Sequence, residues 1–263
     1  MKNLAIFFSI LFALMVAFYF CVLKPDNYAE EDIYDAIMGR GVIKVGINTD
    51  SKPFGFVNKD GCIQGYDADL ARYISQYLLS SQYKVELVPV TPSNRIMKVS
   101  TGEVDMVIST MTITPQREEI LDFSIPYDVA GQALLVKSTS KITSIADLGG
   151  QNVGVVWGTT AEKNMLNLAP NANIIGFKTY NEAYKALKAG YINAITSDDT
   201  ILSRFALEDK EVKLLPKRYS REPYGIGFKK GKSSAKLREK VNIALKDMMM
   251  KNVITRLHKK WLS

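Results

Sequence analysis

The sequence predicts an α/β fold preceded by one N-terminal hydrophobic helix. Three observations carry that expectation. Short apolar runs alternate with amphipathic, helix-length segments over residues 42–101, and the alternation resumes over residues 145–198. Strand, helix and strand in succession form the unit of parallel sheets, so each stretch predicts a small sheet of its own. The third observation is Leu4 to Leu23, a run without a charged residue.

That run is long enough to cross about 30 Å of hydrocarbon. Its flank, Phe18-Tyr19-Phe20-Cys21-Val22-Leu23-Lys24-Pro25, lacks the small residues of a cleavage site. An uncleaved membrane anchor is therefore favoured over a cleaved signal sequence. Lipidation at Cys21 ranks third, because aromatic residues precede the cysteine. Lys2 on one side and Asp26, Glu30, Glu31 and Asp32 on the other place the N-terminus in the cytoplasm and the rest of the chain on the exported side. Residues 24–41 read as a linker carrying a helix from about Ala29 to Met38.

The body begins at Gly41. Val42 to Ile47 alternates as a strand, and Phe54-Gly55-Phe56-Val57 with Cys62-Ile63-Gln64 reads as a hairpin around Asn58-Lys59-Asp60-Gly61. A helix follows from Gly65 through Leu79, with Leu70, Tyr73, Ile74 and Tyr77 on one face. Lys84 to Val90 is a strand and Ser93 to Thr101 a short helix. Further on, Ile145 to Gly150 predicts a small helix with a glycine stop, and Val153 to Val156 and Ile174 to Phe177 predict strands. Tyr180 to Ala189 is a helix ending at Gly190, and Ala194-Ile195-Thr196 a third strand.

Composition excludes several classes. The net charge of +7 comes from basic residues scattered along the chain, which fits a solvated surface rather than a nucleic-acid face. There is no zinc-type Cys/His spacing and no phosphate-cradling glycine loop, so neither metal nor cofactor is expected. Cys62 is the one cysteine of the body, which leaves no internal disulfide there.

The most informative stretch is Asp105 to Tyr127, DMVISTMTITPQREEILDFSIPY. Met106-Val107-Ile108 reads as a buried strand whose exit gathers the hydroxyls of Ser109, Thr110 and Thr112. Thr114-Pro115 reads as an N-cap with proline in the first helical position. Arg117 lies in that first turn, where a cation opposes the helix dipole. Beside free N–H groups and hydroxyls it would make a carboxylate receptor. The alternative is a surface arginine paired with Glu118 or Glu119.

GYDADLARYI, at Gly65 to Ile74, resembles the signature of the family-3 extracellular solute-binding proteins, the amino-acid receptors of ABC importers. Ala68 stands where a larger aliphatic residue is usual. KPFGF, TGEVDMVISTMTITPQR, DFSIPY, VGVVWGTT and INAITSDD follow the family's order and spacing, so the resemblance covers Val42 to Ser263. It implies a two-lobed periplasmic-binding-protein type II, or Venus-flytrap, fold. Residues 42–126 and 226–263 would form one lobe, residues 132–220 the other, and residues 127–131 and 221–225 the hinge strands.

By position, the resemblance implies that Arg117 clamps an α-carboxylate, helped by Thr112 and by Thr160 of lobe two. Ser109 and Thr110 would contact the carboxylate and the α-ammonium. Asp198 would take the ammonium, with Asp199 as the neighbouring alternative and helix capping as the non-functional reading of both. Asp50, Lys52, Phe54, Trp157 and Ser197 would line the side-chain pocket. Lys52 replaces an aromatic lid of some relatives, Val156-Trp157 replaces polar residues, and Ser197 stands where some members carry histidine. Mutual neutralisation of Asp50 and Lys52 would leave a pocket for a polar uncharged L-amino acid. Phe54 reads equally well as a core residue.

The expected partners are a small-molecule amino acid and an ABC permease, with the membrane reached through the N-terminal segment; a monomer is the default. Two other functions compete. One is a ligand-sensing module signalling to another membrane protein. The other is an enzyme resembling the periplasmic cyclohexadienyl dehydratases, which needs a general acid in the cleft. His258, the one histidine, lies among lysines and reads as a surface residue.

Overall fold

The structure, a computed structural model, describes residues 31–262 together with Phe12 and Met15. Residues 32–263 make one compact unit and residues 1–31 another. The anchor reading of Leu4 to Leu23 and the lipidation of Cys21 lie outside the described residues. Among the described residues no helix is long and apolar enough to cross a membrane.

Alternation of strand and helix produces two mixed five-stranded sheets of the same design. In the first lobe β1 (Ile43–Asn48) pairs in parallel with β5 (Val85–Val90) on one side and β6 (Met106–Val107) on the other. The strands β15 (Gly227–Lys229) and β7 (Leu121–Phe123) complete it in the order β5-β1-β6-β15-β7. In the second lobe β10 (Asn152–Val156) stands between β11 (Asn173–Phe177) and β12 (Ala194–Asp198), again in parallel. β9 (Gln132–Lys137) and β13 (Val212–Leu214) give the order β11-β10-β12-β9-β13. β9 and β15, each the first strand of its sheet after the chain crosses, run antiparallel to their neighbours, a pattern that βαβ units alone do not predict.

Two short strands, β8 (Asp128–Ala130) and β14 (Glu222–Tyr224), pair antiparallel and carry the chain from lobe to lobe and back. A separate three-stranded ribbon, β2 (Asp50–Ser51), β3 (Gly55–Val57) and β4 (Ile63–Gln64), follows β1.

Helices cover the sheets. α1 (Ile33–Arg40) starts at Asp32, whose side chain accepts the Tyr34 amide at 2.9 Å, and it buries Ile37 completely. The helix placed in the linker is therefore part of the folded body. α2 (Tyr66–Leu79) buries Tyr66, Asp67, Leu70, Ala71, Ile74 and Leu78. Tyr73 and Tyr77, expected on that face, are exposed at 41% and 44%. The helix begins one turn before its apolar stripe, so the polar Asp67 takes an inward position that a hydrophobic pattern cannot assign. Gly65, just before it, has φ +127°, and a Cβ there would fall 2.2 Å from the Phe54 carbonyl oxygen, so only glycine fits.

In the second lobe α5 (Ala161–Leu168), α6 (Tyr180–Ala189) and α7 (Asp199–Glu208) alternate with the strands. α6 is capped by Thr179 and stopped at Gly190 in the left-handed conformation (φ 84°). The C-terminal α8 (Ala235–Met250) and α9 (Val253–Trp261) return to the first lobe. Each fully buried Ile, Leu or Phe of the main core contributes about 1.5–3 kcal/mol, and this core contains Ile43, Ile47, Leu70, Ile74, Phe228 and Leu245.

Candidate functional site

Both sheets present the carboxyl ends of their central strands to the cleft between the lobes, where ligands of open α/β sheets collect. From the first lobe come Ser109, Thr110 and Thr112, in the exit of β6, and Arg117 in α4 (Pro115–Glu118). Thr114 caps α4 as expected, its hydroxyl accepting the Arg117 amide at 3.3 Å, with Pro115 in the first turn. Arg117 does not lie on the surface with Glu118 or Glu119. It is buried at 8% exposure, its Nη1 donating to the Thr112 carbonyl at 2.7 Å and its Nη2 to the Gly158 carbonyl of the second lobe at 3.0 Å. Burial, then the nearby Arg95 cation, pull its pKa down to about 9.

Ser109 and Thr110 are buried with it. The Thr110 backbone adopts φ 48°, uncommon for a β-branched residue, and its amide donates to Asp67 Oδ2 at 3.0 Å. Asp67 also accepts the Tyr127 hydroxyl at 3.0 Å, and complete burial pushes its carboxyl up to about 8. The signature around Gly65 to Ile74 thus supplies the support under the strand exit.

From the second lobe comes Asp198, the last residue of β12, buried at 8% exposure. It accepts the Tyr224 hydroxyl at 2.5 Å and makes no capping bond to α7. Burial, with Glu222 and Asp199 nearby, pushes its carboxyl up to about 7 against the Tyr224 hydrogen bond. Asp199 points elsewhere, accepting the Gly131 amide at 2.8 Å and Arg218 Nε at 2.7 Å beside the hinge. The neighbours part where strand gives way to helix: Asp198 bonds to Tyr224, and Asp199 to Gly131 and Arg218.

The remaining expected residues fall into place unevenly. Thr160 begins α5 at half-burial without a side-chain capping bond. Ser197 is buried against the Tyr180 hydroxyl at 3.3 Å. Phe54 is a core residue without exposed surface, edge-on to Tyr66 and Tyr224 at centroid distances of 5.5 and 5.7 Å. Trp157 is 42% exposed at the cleft rim, lying so flat on Gly176 that a Cβ there would meet its Cζ2 at 1.8 Å.

One expectation needs correction and another needs partners added. Asp50 and Lys52 do not neutralise one another. Asp50 accepts the Tyr180 amide at 2.5 Å and the Asn181 side chain, at the start of α6, and Lys52 pairs with Glu208 of α7 at 2.7 Å. His258 is at the surface, its side chain 40% exposed, but it is not free: its Nε2 stands 3.4 Å from Asp128 Oδ1 and its ring meets Tyr66 edge-on at 5.2 Å. The acid's hydrogen bond raises its pKa. Both contacts come from distant segments, which the lysine-rich neighbourhood in sequence conceals.

The residue that the sequence reading missed is Arg95, in α3 (Arg95–Ser100). It is 2% exposed, its Nη1 donates to the Ser109 carbonyl, and its Nη2 reaches the same Gly158 carbonyl as Arg117, at 3.3 Å. Gly158, at φ +80°, presses against Pro92, where a Cβ would meet the carbonyl oxygen at 2.5 Å. With Ser93 Oγ donating to the Trp157 carbonyl at 3.3 Å, these contacts form a closed seam between the lobes.

Two α/β lobes joined by a pair of antiparallel strands, meeting over a buried cation from one side and a buried carboxylate from the other, have the architecture of a two-lobed binding protein. The chain belongs to the bacterial extracellular solute-binding proteins, family 3, whose sequence model matches residues 43–263. It is 39% identical over 241 residues to the ABC transporter glutamine-binding protein GlnH of Bacillus subtilis, covering 91% of this chain and 88% of the relative. It is 41% identical over 209 residues to the glutamine-binding protein of Geobacillus stearothermophilus, covering 79% and 80%. Among solved structures, an ancestral amino acid-binding protein, a precursor of cyclohexadienyl dehydratase, superposes with a TM-score of 0.80 at 36% identity, covering 88% of this chain and all of that one. The cysteine-binding protein of Campylobacter jejuni gives 0.84 at 28% identity, covering 88% and 93%.

Proposed function

We propose that the chain binds an L-amino acid between its lobes and delivers it to an ABC-type importer on the exported side of the membrane. The observation that carries this reading is the buried pair of opposite charges on facing lobes, Arg117 and Asp198. A zwitterion supplies a partner for each, and a ligand lacking either charge leaves a buried ion unmatched at a cost of several kcal/mol. Ligand held by Arg117, Thr112, Thr110 and Ser109 of the first lobe would be covered by Asp198, Thr160 and Ser197 of the second. Only the contacts added by the second lobe favour closure, and the permease would read the closed surface.

Glutamine, named for the relatives at 39% and 41% identity, is the first candidate cargo. The chain acts as a receptor rather than an enzyme on this reading: the raised Asp198 carboxyl is positioned by Tyr224 to meet an ammonium. Its cargo is tested by calorimetric titration of the purified full chain, unfolded and refolded to remove co-purified ligand. One or two amino acids at micromolar affinity or better, about −8 kcal/mol, support the reading. Silence across the proteinogenic amino acids, with turnover of a cyclic carboxylate, overturns it. Arg117→Ala should abolish binding with the fold intact.

A further inference from the structure

A second cavity, of about 760 Å³, lies apart from the cleft: none of Arg117, Asp198, Ser109 or Thr110 lines it. Both lobes and the hinge wall it. Lys52 and Trp261 come from the first lobe, Leu207 and Leu214 from the second, Val129 from β8, and Arg221 from the segment entering β14. Val129 and Leu207 are exposed, Leu207 at 75%, and with Leu214 and Trp261 they make an apolar bed. The carboxylates of the wall are already engaged. Asp199 holds the Gly131 amide and Arg218, Glu208 holds Lys52 and Arg204, and Asp128 holds the Val129 amide at 2.7 Å and His258. The cations are not all engaged. Among the described residues the exposed Arg221 side chain has no ion pair, and Arg218 meets Asp199 through Nε and Nη2, which leaves Nη1 without a partner.

Unused guanidinium donors beside an exposed apolar bed, in a cavity of ligand size, complement an organic anion with a hydrophobic body. We infer that this hinge cavity is a second ligand site, for an amphipathic organic anion whose acid group meets Arg218 and Arg221 and whose body lies on Leu207, Val129 and Trp261. Because both lobes and the hinge form the wall, the shape of the cavity is tied to the angle between the lobes. An anion that fits the closed form therefore favours closure and tightens the hold on cargo in the cleft, and cargo tightens the hold on the anion by the same factor. This coupling rests on the amino-acid receptor reading; the site itself does not.

The test titrates the full chain with two fluorescent dyes that share one aromatic body. 8-Anilinonaphthalene-1-sulfonate carries an acid group and N-phenyl-1-naphthylamine does not. The chain should bind one equivalent of the sulfonate at least about tenfold tighter than the neutral dye, the scale of one charge-assisted hydrogen bond. Arg221→Gln should weaken the sulfonate by about fivefold or more and leave the neutral dye within about twofold. Leu207→Glu, at an exposed position, should weaken both dyes. Glutamine should not displace the sulfonate, and saturating sulfonate should tighten glutamine binding by about threefold or more. No sulfonate binding, equal affinity for the two dyes, displacement by glutamine, or binding unchanged in both variants overturns the site. Sulfonate binding that follows the variants but leaves glutamine affinity unchanged overturns the coupling alone. A chain that binds the sulfonate in this way and no amino acid overturns the receptor reading, and the coupling with it, while the site stands.

Discussion

Asp50 sits at the N-terminus of the helix that begins at Tyr180, accepting its backbone amide at 2.5 Å across 130 residues of sequence. The acid belongs to the ribbon of the first lobe and the helix to the second, so a local capping interaction becomes a latch between lobes. An anion at that end of α6 is favoured by the helix dipole and by the free N–H groups of its first turn.

Asp50→Ala should therefore loosen the closed state. The dipole interaction is worth about 0.3–2 kcal/mol, so ligand affinity should fall by about twofold to thirtyfold while the melting temperature barely moves. Small-angle scattering should show a larger radius of gyration for the variant without ligand. Identical scattering curves would show that the latch does not hold the lobes.

The Asp198 carboxyl, pushed up to about 7 by burial, must be ionised to hold an ammonium. Binding an ammonium lowers its pKa, so binding releases a proton, and affinity is lost as pH falls below about 7. The loss approaches tenfold per pH unit at the acid end. Calorimetry in buffers of different ionisation enthalpy reads the released proton directly. Asp198→Asn should flatten the profile and weaken α-amino acids far more than the matching 2-hydroxy acids. Equal losses for both would place the ammonium elsewhere.

Asp67 gives the opposite signature, in stability. Its pKa is raised to about 8 in the fold from 3.8 when exposed, so the native state holds a proton that the unfolded chain releases. Stability from this group is complete below about pH 4 and declines as pH rises through 8. Urea unfolding between pH 5 and 8 should show that decline, and Asp67→Asn should remove its share. An unchanged slope in the variant would assign the decline to other groups.

Asp199→Ala tests the hinge apart from the ligand. The substitution strands the Gly131 amide and releases Arg218. Because Arg218 is largely exposed, the main cost is the unsatisfied amide, about 1–3 kcal/mol. Chemical denaturation should show that loss with little change in which amino acids bind.

The parts of this molecule legible in sequence are those set by neighbours along the chain. Thr114, Pro115 and Arg117 declare a capped helix start, and α6 runs from Tyr180 to Ala189 as its periodicity and Gly190 require. Arg95 was not legible, because its partners are the Ser109 carbonyl and the Gly158 carbonyl, the latter 63 residues away on the other lobe. In sequence it is one basic residue opening a short amphipathic helix. Asp50 and Lys52 misled for the same reason: their partners, Tyr180 and Glu208, arrive only when the lobes meet. Asp67 interrupts an apolar stripe, and nothing local shows that the Thr110 amide and the Tyr127 hydroxyl await it.

Trp157 has a practical consequence. The chain has two tryptophans. Trp261 is fixed away from the cleft, its indole N–H donating to Asp69 at 2.9 Å and its ring against Phe56. Trp157 lies half in water on the seam, one peptide from the carbonyl shared by both arginines. A change in ultraviolet emission on adding cargo is therefore attributable to one indole. The protein carries its own fluorophore where the lobes meet, and could report the concentration of a nutrient without dye or label.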